Sequence, residues 1–438
     1  MFLAVDSSRL ARFVRDRSVA GVVEGVSRMI REGSIAPGER LPTVRSIAAE
    51  LGVGVATISR AWSRLADAGM IETRGRAGSF VPLLERRHAV RFFRYSRHGE
   101  FRLDLSTGMP DPALLPPLRR ALENLEEMPH PTSYIAPPVV PALEEQIRRL
   151  LPFPAEAVTV VDGALDALDR LLGPRVRLGD RVAVSDPGFP PLFDLIEAHG
   201  GVAVPVETDD EGMVPDSLAR AMRDRPVGMV IQPRAQNPTG VSMTPGRAKE
   251  LAEIIDRSDV WVVEDDHSGM ISSSPLVSLA SQFPERVFHI TSFSKSHGPD
   301  FRIASIAGPA AALAELVDRR RLGPAWTSRF LQSILAELLA DPATAELVAE
   351  ARSAYAQRRA KLAASLTERG LATTGTDGLN LWVSVPDEQA ALVMLAARGI
   401  AVAPGRPFQL RPTFEGHIRI TTGGIDADLT EVAEILSA

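Results

Sequence analysis

The sequence predicts an α/β protein in two parts: a large domain with a mostly parallel sheet covered by helices, and a small N-terminal domain. Three observations predict this. The chain has 438 residues, which is more than one ordinary hydrophobic core accommodates. Short apolar strands alternate with helical stretches from Leu103 onward, which is typical of a parallel sheet. The first eighty residues instead give the order helix, helix, tight turn, helix and hairpin.

The composition excludes several classes of protein. There is no cysteine, so disulfides, thiolate metal sites and a cysteine nucleophile are excluded. No apolar run reaches the ~18 residues of a membrane span, and the first residues lack the basic-then-apolar order of a signal peptide, so we expect a cytoplasmic protein. Residues 1–85 carry 12 Arg against 9 Asp and Glu, and their net charge of +3 leaves −9 for the remainder. A basic end favours a nucleic-acid contact there, although a solvated surface gives the same count.

Periodic apolar residues predict three helices and a hairpin in the N-terminal domain, which we place at residues 9–82. Gly33 ends the first helix, and Gly52 and Gly54 make a tight turn before the third. The predicted elements are a helix with the apolar stripe 22–30, a helix with the stripe 44–51 and Pro42 in its first turn, a helix over about 55–68, and strands over 70–73 and 78–81.

This order is that of a winged helix-turn-helix, in which the helix after the tight turn enters the major groove of DNA. Arginines at the tip of the hairpin can reach phosphates or a minor groove. A three-helix domain used for protein contacts is the alternative. The residues that the third predicted helix and the hairpin tip would present to DNA are Ala56, Thr57, Ser59, Arg60, Arg74, Gly75 and Arg76.

Three stretches of this domain match a known pattern: LPTVRSIAAELGV, VATISRAWSRLADAGMIE and RGRAGSFV. They resemble the GntR family of bacterial regulators over the whole domain. The resemblance implies a DNA-binding domain whose contacting positions are Arg45, Thr57, Ser59, Arg60 and Gly75. The sequence departs from the family at 54–55, where Gly-Val replaces the common Ser-Arg pair that opens the recognition helix. An arginine that reads a base or phosphate is missing there, which affects the choice of operator more than DNA binding itself.

Residues 83–102 form a basic linker between the two domains. The segment is dense in arginine, histidine and aromatic residues and lacks a clean period of either helix or strand. A solvated connector is the favoured interpretation, and a segment that touches DNA phosphates is the alternative. The linker ends where the alternation of strands and helices begins.

The large domain, 103–438, carries the residues that suggest chemistry at the ends of its strands. In open parallel sheets, ligands bind at the carboxyl ends of the strands. Polar residues stand out at those ends, after apolar runs that predict the strands. The predicted strands include 158–161, 181–185, 202–207, 228–233, 260–265 and 286–292.

Lys295 is the first of these residues. It follows the strand VFHI and is one of only three lysines, with Lys249 and Lys361. A lysine at a strand end is well placed for a Schiff base with an aldehyde cofactor. Ser292 and Arg302 on either side would bind a phosphate. An ordinary surface lysine is the alternative.

Asp265 and Asn237 follow two other strands. The cluster Glu264-Asp265-Asp266 comes at the end of an apolar run, and one of its carboxylates is suited to pair with a protonated pyridine nitrogen. Metal binding is the alternative, although only His267 accompanies the acids, and we expect no metal. Asn237 lies in the turn QNPTG, where its amide is suited to donate to a phenolate-type oxygen; as plain sequence, this is a good turn.

The stretches VDGALDAL, SDPGFP, QNPTG, VVEDD, SFSKSHGPDFR and HIRI occur in one order and spacing. They resemble fold-type I pyridoxal-phosphate enzymes, the aspartate-aminotransferase superfamily, over nearly all of 103–438, with a small C-terminal subdomain from about 325. The resemblance implies a pyridoxal 5'-phosphate site in which Lys295 is the catalytic residue and forms the internal aldimine. It further implies Asp265 on the pyridine nitrogen, Asn237 on the 3-oxygen, Phe189 stacked on the ring, Gly163, Ala164, Ser292 and Arg302 on the phosphate, Arg419 on a substrate α-carboxylate, and Tyr134 on the phosphate of the partner subunit in a homodimer.

The sequence departs from that superfamily at two places. His267 stands where tyrosine usually lies beside the cofactor oxygen, and Leu165 and Asp166 replace a frequent pair of polar amides. Because an imidazole can donate a hydrogen bond, we expect His267 to bind the cofactor. The rate of any reaction is the less secure property.

The two domains together resemble the MocR subfamily of GntR-type regulators. LDLSTGMPDPALLPPL and DGLNLWV are similar to a branch that includes regulators of vitamin B6 metabolism. The resemblance implies a transcription regulator whose large domain senses an amino compound or a B6 vitamer, often with little transaminase turnover. A working aminotransferase with a DNA-binding module is one alternative, and a repressor whose large domain only dimerises is another.

Overall fold

The computed structural model describes residues 5–31, 34–36, 38–67, 71–73, 75, 78–81, 101–124, 136–411, 415–423 and 430–437. The chain folds as two compact units. Arg74, Arg76 and Tyr134, together with the linker up to residue 100, lie outside the described residues. None of the described helices is both long enough and apolar enough to cross a membrane.

The first unit contains the predicted helices and hairpin. Its helices are Ser7–Phe13, Val19–Arg31, Val44–Leu51 and Val55–Asp67, and its strands are β1 (Glu72–Thr73) and β2 (Ser79–Phe80), which pair antiparallel. The apolar stripes meet in one core, to which Val26, Ile47 and Trp62 each contribute. The helix Ser7–Phe13 was not predicted, because its seven residues carry only one buried side chain, Leu10.

One detail of the helix Val44–Leu51 differs from the prediction. Thr43 is its N-cap, with a side-chain oxygen that accepts from the backbone N–H of Ser46 at 3.1 Å. Pro42 therefore lies before the cap and not in the first turn. The Thr43 hydroxyl satisfies a backbone donor that has no partner within the helix, which stabilises a helix by about 1 kcal/mol. Pro42, which precedes the cap, takes no part in that hydrogen bond.

The second unit is built on an eight-stranded sheet with the order β4-β11-β10-β9-β8-β5-β6-β7. Its central neighbours β5, β8, β9 and β10 run parallel, whereas β11 is antiparallel to both of its neighbours and β7 is antiparallel to β6. The central strands are almost wholly buried, as their continuous apolar runs predict. The strands are β4 (Ala157–Val161), β5 (Arg181–Asp186), β6 (Val202–Asp209), β7 (Gly212–Met213), β8 (Gly228–Ile231), β9 (Trp261–Asp266), β10 (Val287–Ser292) and β11 (Ala304–Gly308).

A second sheet of five strands has the order β12-β13-β15-β14-β3. Its strands are β3 (Leu103–Leu105), β12 (Thr373–Thr374), β13 (Asn380–Val385), β14 (Ile400–Pro404) and β15 (Gly416–Thr421). Four of them follow residue 325. The fifth, β3, comes from the start of the large domain and pairs parallel with β14, so residues 103–105 are part of this sheet.

Helices surround both sheets. They are Arg119–Glu123, Pro141–Leu150, Ala164–Arg175, Pro190–Ala198, Pro215–Met222, Pro245–Ile255, Ala310–Arg321, Arg329–Ala340, Pro342–Thr367, Glu388–Ala397 and Thr430–Ser437. Five of them begin with proline, which has no N–H to leave unsatisfied in a first turn. The fold is the predicted α/β class, with a mixed main sheet whose central strands β5, β8, β9 and β10 are parallel.

Candidate cofactor site and DNA-contacting surface

The candidate cofactor residues meet at one edge of the main sheet. Asn237 follows β8, Asp265 lies near the end of β9, and Lys295 follows β10. Because β8, β9 and β10 are parallel neighbours, their carboxyl ends share one edge. The structure therefore brings together three side chains that are up to 58 positions apart in the sequence.

Lys295 carries a perturbed amine. Its Nζ donates to the carbonyl oxygen of Gly108. Burial, with a smaller contribution from the positive charge of Arg419, lowers the pKa of Lys295 to about 8. A lysine with such a pKa holds far more neutral, nucleophilic amine near neutral pH than an ordinary lysine does.

Asp265 is buried, and its two carboxylate oxygens differ. Oδ2 accepts from Nε2 of Gln232 at 2.8 Å. Oδ1 is buried, and within the described part of the chain it has no hydrogen-bond partner. Burial raises the pKa of Asp265, and the hydrogen bond from Gln232 opposes that rise. A buried carboxylate oxygen without a donor is costly, so this atom is suited to receive a proton donor from a ligand.

Arg419 and Asn237 are joined across the two sheets of the second unit. Arg419 lies on β15 and is 1% exposed; its Nη1 donates to Oδ1 of Asn237 at 3.1 Å, and its Nη2 donates to the carbonyl of Ser106. Its guanidinium lies 5.0 Å from the ring centroid of Phe408. Burial lowers the pKa of Arg419 to about 10, which still leaves it a cation at neutral pH.

His267 differs from the expectation that its imidazole donates to a cofactor oxygen. Its Nε2 lies 2.9 Å from the carbonyl oxygen of Ala235, and a carbonyl can only accept, so Nε2 carries the proton. Burial, opposed by the charge of Asp265, lowers the pKa of His267, which favours the neutral ring. A neutral imidazole has one N–H, so Nδ1 is an acceptor and the donor capacity of the ring is already used.

The candidate phosphate residues lie at the start of the helix Ala164–Arg175 and close to it. Gly163 has φ +107°, and a Cβ there would lie 2.9 Å from Nη2 of Arg302, so glycine lets the loop approach the guanidinium. Arg302 is itself left-handed at φ +47°. Ser292 is buried at the end of β10. A helix N-terminus with a cation beside it is an anion-binding arrangement.

The remaining candidates of this site have less defined surroundings. Phe189 is half-buried before the helix Pro190–Ala198. Leu165 is 37% exposed in the first turn of the helix Ala164–Arg175. Asp166 accepts from the backbone N–H of Asp162 at 3.0 Å and pairs with Arg170 at 2.8 Å, so it has a structural role at a position where the resembled superfamily often has an amide. In the described ranges, His, Asp and Glu form no group of three or more that would hold a metal ion.

The candidate DNA-contacting residues are on the surface of the first unit. Arg45 is exposed on the helix Val44–Leu51. Ser59 and Arg60 are exposed on the helix Val55–Asp67, and Thr57 is half-buried there. Gly75 is exposed at the hairpin turn with φ +53°. The hydroxyls and the two guanidinium groups are suited to phosphate and base-edge contacts.

Sequence reasoning missed several residues of the cofactor site. Gln232 donates to Asp265 and also accepts from the backbone N–H of Asn237 at 2.8 Å, so one amide positions two candidates. Its place directly after the buried strand β8 is a signal that was available. The carbonyls of Ser106 and Gly108 had no signal, because any residue offers a carbonyl.

Two family models match this chain. Residues 102–436 match "Aminotransferase class I and II", and residues 19–81 match "Bacterial regulatory proteins, gntR family". These two ranges follow each other along the chain. Together they cover most of it.

Known proteins are similar to this chain over most of their own length. The vitamin B6 salvage pathway transcriptional repressor PtsJ of Salmonella typhimurium is 34% identical, over 94% of this chain and 96% of its own. The HTH-type pyridoxine biosynthesis transcriptional regulator PdxR of Corynebacterium glutamicum is 26% identical, over 77% of this chain and 76% of its own. A crystal structure of Pyrococcus horikoshii kynurenine aminotransferase superposes with a TM-score of 0.70 at 22% identity, covering 78% of this chain and 90% of that one. At that identity the likeness concerns the fold alone.

Proposed function

Because the chain belongs to the MocR subfamily of GntR-type transcription regulators, we propose that it regulates transcription in dependence on pyridoxal 5'-phosphate. In this proposal residues 9–82 bind a double-stranded DNA operator, residues 83–102 form the linker, and residues 103–438 hold the cofactor. An amino compound or a B6 vitamer is the effector, and its binding alters the affinity for DNA. The protein acts in the cytoplasm, where a bacterial regulator meets its operator.

The residues at the sheet edge fit this cofactor. The buried Oδ1 of Asp265, which has no donor among the described residues, is the observation that carries the proposal. A protonated ring nitrogen would provide the donor, and the negative charge would keep that nitrogen protonated. The amine of Lys295 suits an aldehyde. The backbone at Gly163, which lies close to the guanidinium of Arg302, suits a phosphate. These three features belong to one cluster of strand ends.

Each residue then has a distinct task. The chemistry supplied by bound pyridoxal phosphate is an aldehyde that condenses with primary amines, on a ring that withdraws electrons. Lys295 attaches the cofactor through Nζ, and Asp265 holds the proton on the ring nitrogen. Since Oδ1 of Asn237 accepts from Arg419, its Nδ2 is left to donate to the ring oxygen. Ser292, Arg302 and the first N–H groups of the helix that starts at Ala164 hold the phosphate.

An effector with a primary amine would compete with Lys295 for the aldehyde that bound pyridoxal phosphate supplies. A lysine that is displaced must place a charged amine in a buried site, which is costly without an acceptor. The carbonyl of Gly108 is that acceptor, since Nζ already donates to it. Arg419, held by Asn237 and Ser106, receives the carboxylate when the effector is an amino acid.

Vitamin B6 metabolism is the first regulatory target we propose. PtsJ and PdxR carry B6 salvage and pyridoxine biosynthesis in their names, and a site built for pyridoxal phosphate has the shape that a vitamer needs. We further propose a homodimer in which Tyr134 reaches the phosphate of the partner's site. A dimer presents two DNA-binding domains, which fits two half-sites on an operator.

The test is a pair of titrations on the full chain loaded with pyridoxal phosphate. Amino acids, amines and B6 vitamers are screened by the absorbance of the bound cofactor. The same compounds are then tested for binding to a DNA fragment that the protein selects from a random-sequence pool. We expect one class of compound to shift the absorbance and to change the DNA affinity by about 5- to 150-fold. Equal DNA affinities with every compound would refute the sensing role.

Lys295→Ala provides the control for covalent attachment. Borohydride reduction should fix the cofactor to the wild-type chain and to Lys249→Ala, whose lysine is exposed on the helix Pro245–Ile255, but not to Lys295→Ala. The variant should also lose the response of DNA binding to the effector. Cofactor that stays fixed to Lys295→Ala would contradict the proposed attachment.

A working aminotransferase is the second candidate. The convergence of Asn237 with the buried cation Arg419 at the sheet edge that carries Asp265 and Lys295 favours it. In that case an amino acid would convert the cofactor to its amino form, and a keto acid would restore the first absorbance band. A new absorbance that simply persists favours the sensor.

A further inference from the structure

Arg320 is a buried cation that none of the roles above uses. It lies in the last turn of the helix Ala310–Arg321 and is 2% exposed, whereas its neighbours Arg319 and Arg321 are exposed. Burial lowers the pKa of Arg320, and the charge of Asp162 opposes that shift. A buried arginine is retained at a cost in desolvation, so its contacts indicate what it does.

Those contacts converge on the residue before Gly163. Nη2 of Arg320 pairs with Oδ2 of Asp162 at 2.9 Å, and Nη1 donates to the carbonyl of Val160 at 2.6 Å. Thr327 completes the arrangement, since its hydroxyl donates to Oδ1 of Asp162 at 2.8 Å and lies 3.3 Å from Nη2 of Arg320. Both carboxylate oxygens of Asp162 are therefore held.

The backbone of Asp162 is held as well. Its N–H donates to Asp166 at 3.0 Å, and its carbonyl accepts from Arg302 at 3.1 Å. We call residues 162–164 the phosphate loop, because Gly163 and Ala164 are the proposed phosphate contacts. Gly163, at φ +107°, accepts from the backbone N–H of Ala167 at 3.0 Å, so the phosphate loop is fixed to the helix on one side and to Asp162 on the other.

We propose that Arg320 is a positioning residue for the phosphate loop. It holds Asp162 so that the N–H groups after it are aimed at a phosphate, and it does so without touching the phosphate. This inference rests on the proposed function, since it takes the phosphate loop as the site of the cofactor's phosphate.

Electrostatics gives Arg320 a second effect on the same loop. The Asp162 side chain is 43% exposed and adjoins the proposed phosphate contacts, where a second negative charge would repel the phosphate. The ion pair with Arg320 offsets that charge. Loss of Arg320 should therefore weaken binding of a phosphorylated ligand and leave the same ring without phosphate almost unaffected.

The experiment compares the dissociation constants of pyridoxal phosphate and pyridoxal for the full chain, by the absorbance of the bound ligand. Arg320→Met should weaken pyridoxal phosphate by about tenfold, from the loss of a charged hydrogen-bond partner, and pyridoxal by less than twofold. Arg319→Met, on the exposed side of the same helix, should change neither. Arg320→Lys keeps the charge but cannot donate to Asp162 and to the carbonyl of Val160 at once as the guanidinium does. It should weaken the binding of pyridoxal phosphate relative to pyridoxal by a smaller factor than Arg320→Met.

Asp162→Asn combined with Arg320→Met tests the electrostatic part, because it removes the uncompensated carboxylate and should recover part of the phosphate preference. An equal loss for both ligands would reduce Arg320 to a structural residue, and unchanged constants would also overturn the inference. If Arg320→Met does not fold, Arg320→Lys decides by the same ratio. A wild-type chain that binds neither ligand would instead contradict the proposed function.

Discussion

The two candidate sites of this chain differ in where their side chains lie. Arg45, Ser59 and Arg60 are exposed on helices whose other faces form the core of the first unit. Asp265, at the cofactor site, is buried, and so is Arg419, whose pKa burial lowers. One site uses the residues that packing leaves outside, and the other uses polar groups that packing has enclosed.

This difference determines what each site costs the fold. An exposed arginine on a helix is solvated, and its replacement changes stability little. A buried carboxylate such as Asp265 has lost its hydration, and among the described residues Gln232 is its one hydrogen-bond donor. We therefore expect replacements at the cofactor site to trade stability against binding, and replacements at the DNA-contacting surface to change binding alone.

The largest expected effect is at Asp265. Asp265→Asn should weaken pyridoxal phosphate binding by about 100-fold, or about 3 kcal/mol, because a charged hydrogen bond is lost. The cofactor-free protein should be as stable as wild type or more so. The sign follows from the pKa: a carboxyl whose folded pKa is raised by burial costs stability at every pH above its unfolded pKa. Urea unfolding and cofactor titration measure the two quantities.

Asp266→Asn is the matched control, one residue along the same strand. Both oxygens of Asp266 accept from Arg234, at 2.9 and 2.7 Å, so the variant should lower the free energy of unfolding by about 3 kcal/mol without cofactor. If Asp265→Asn destabilises the cofactor-free protein as much, Asp265 is a structural residue and the contrast between the two units fails.

The same difference explains what the sequence could predict. An apolar stripe defines both the buried and the exposed face of a helix, so Ser59 and Arg60 were placed from periodicity alone. Strand ends are also local signals, and they located Asp265 and Lys295. The pairing of Gln232 with Asp265 and that of Arg320 with Asp162 span 33 and 158 positions, and local patterns carry no information on such pairs.

The tautomer of His267 was out of reach for a related reason. A histidine beside a cofactor can donate or accept, and the choice here follows from the carbonyl of Ala235. Ala235 adopts φ +46°, and an alanine in the sequence gives no signal for that conformation. The strand β3 was missed similarly, since its partner β14 lies some 300 residues later.

Arg60→Ala should have the next largest effect, and on DNA alone. Loss of a base or phosphate contact should weaken binding to the selected DNA fragment by about 2 kcal/mol, or about thirtyfold. Unfolding should be unchanged within about 0.5 kcal/mol. Arg398→Ala removes the same charge from an exposed position of the second unit and should leave DNA binding unaltered. Equal weakening by both variants would mean that net charge, and not the recognition helix, determines affinity.

The smallest expected effect separates the two units by pH. His297 is 3% exposed, and burial lowers its pKa to about 4 from an unfolded value of 6.5. Between these values the unfolded chain binds more protons at this position, so His297 makes the second unit less stable as the pH drops from 7 to 5. Residues 1–87 contain no histidine, and carboxyl groups titrate mostly below this window, so residues 5–81 of the first unit should not respond. His297→Phe should remove slightly less than ~2 kcal/mol of stability loss over this pH range.

Hydrogen exchange, expressed as protection relative to the unstructured chain, reports both units in one sample. A loss of protection in residues 5–81 equal to that around β10 would show that exposed and buried sites do not differ in this respect.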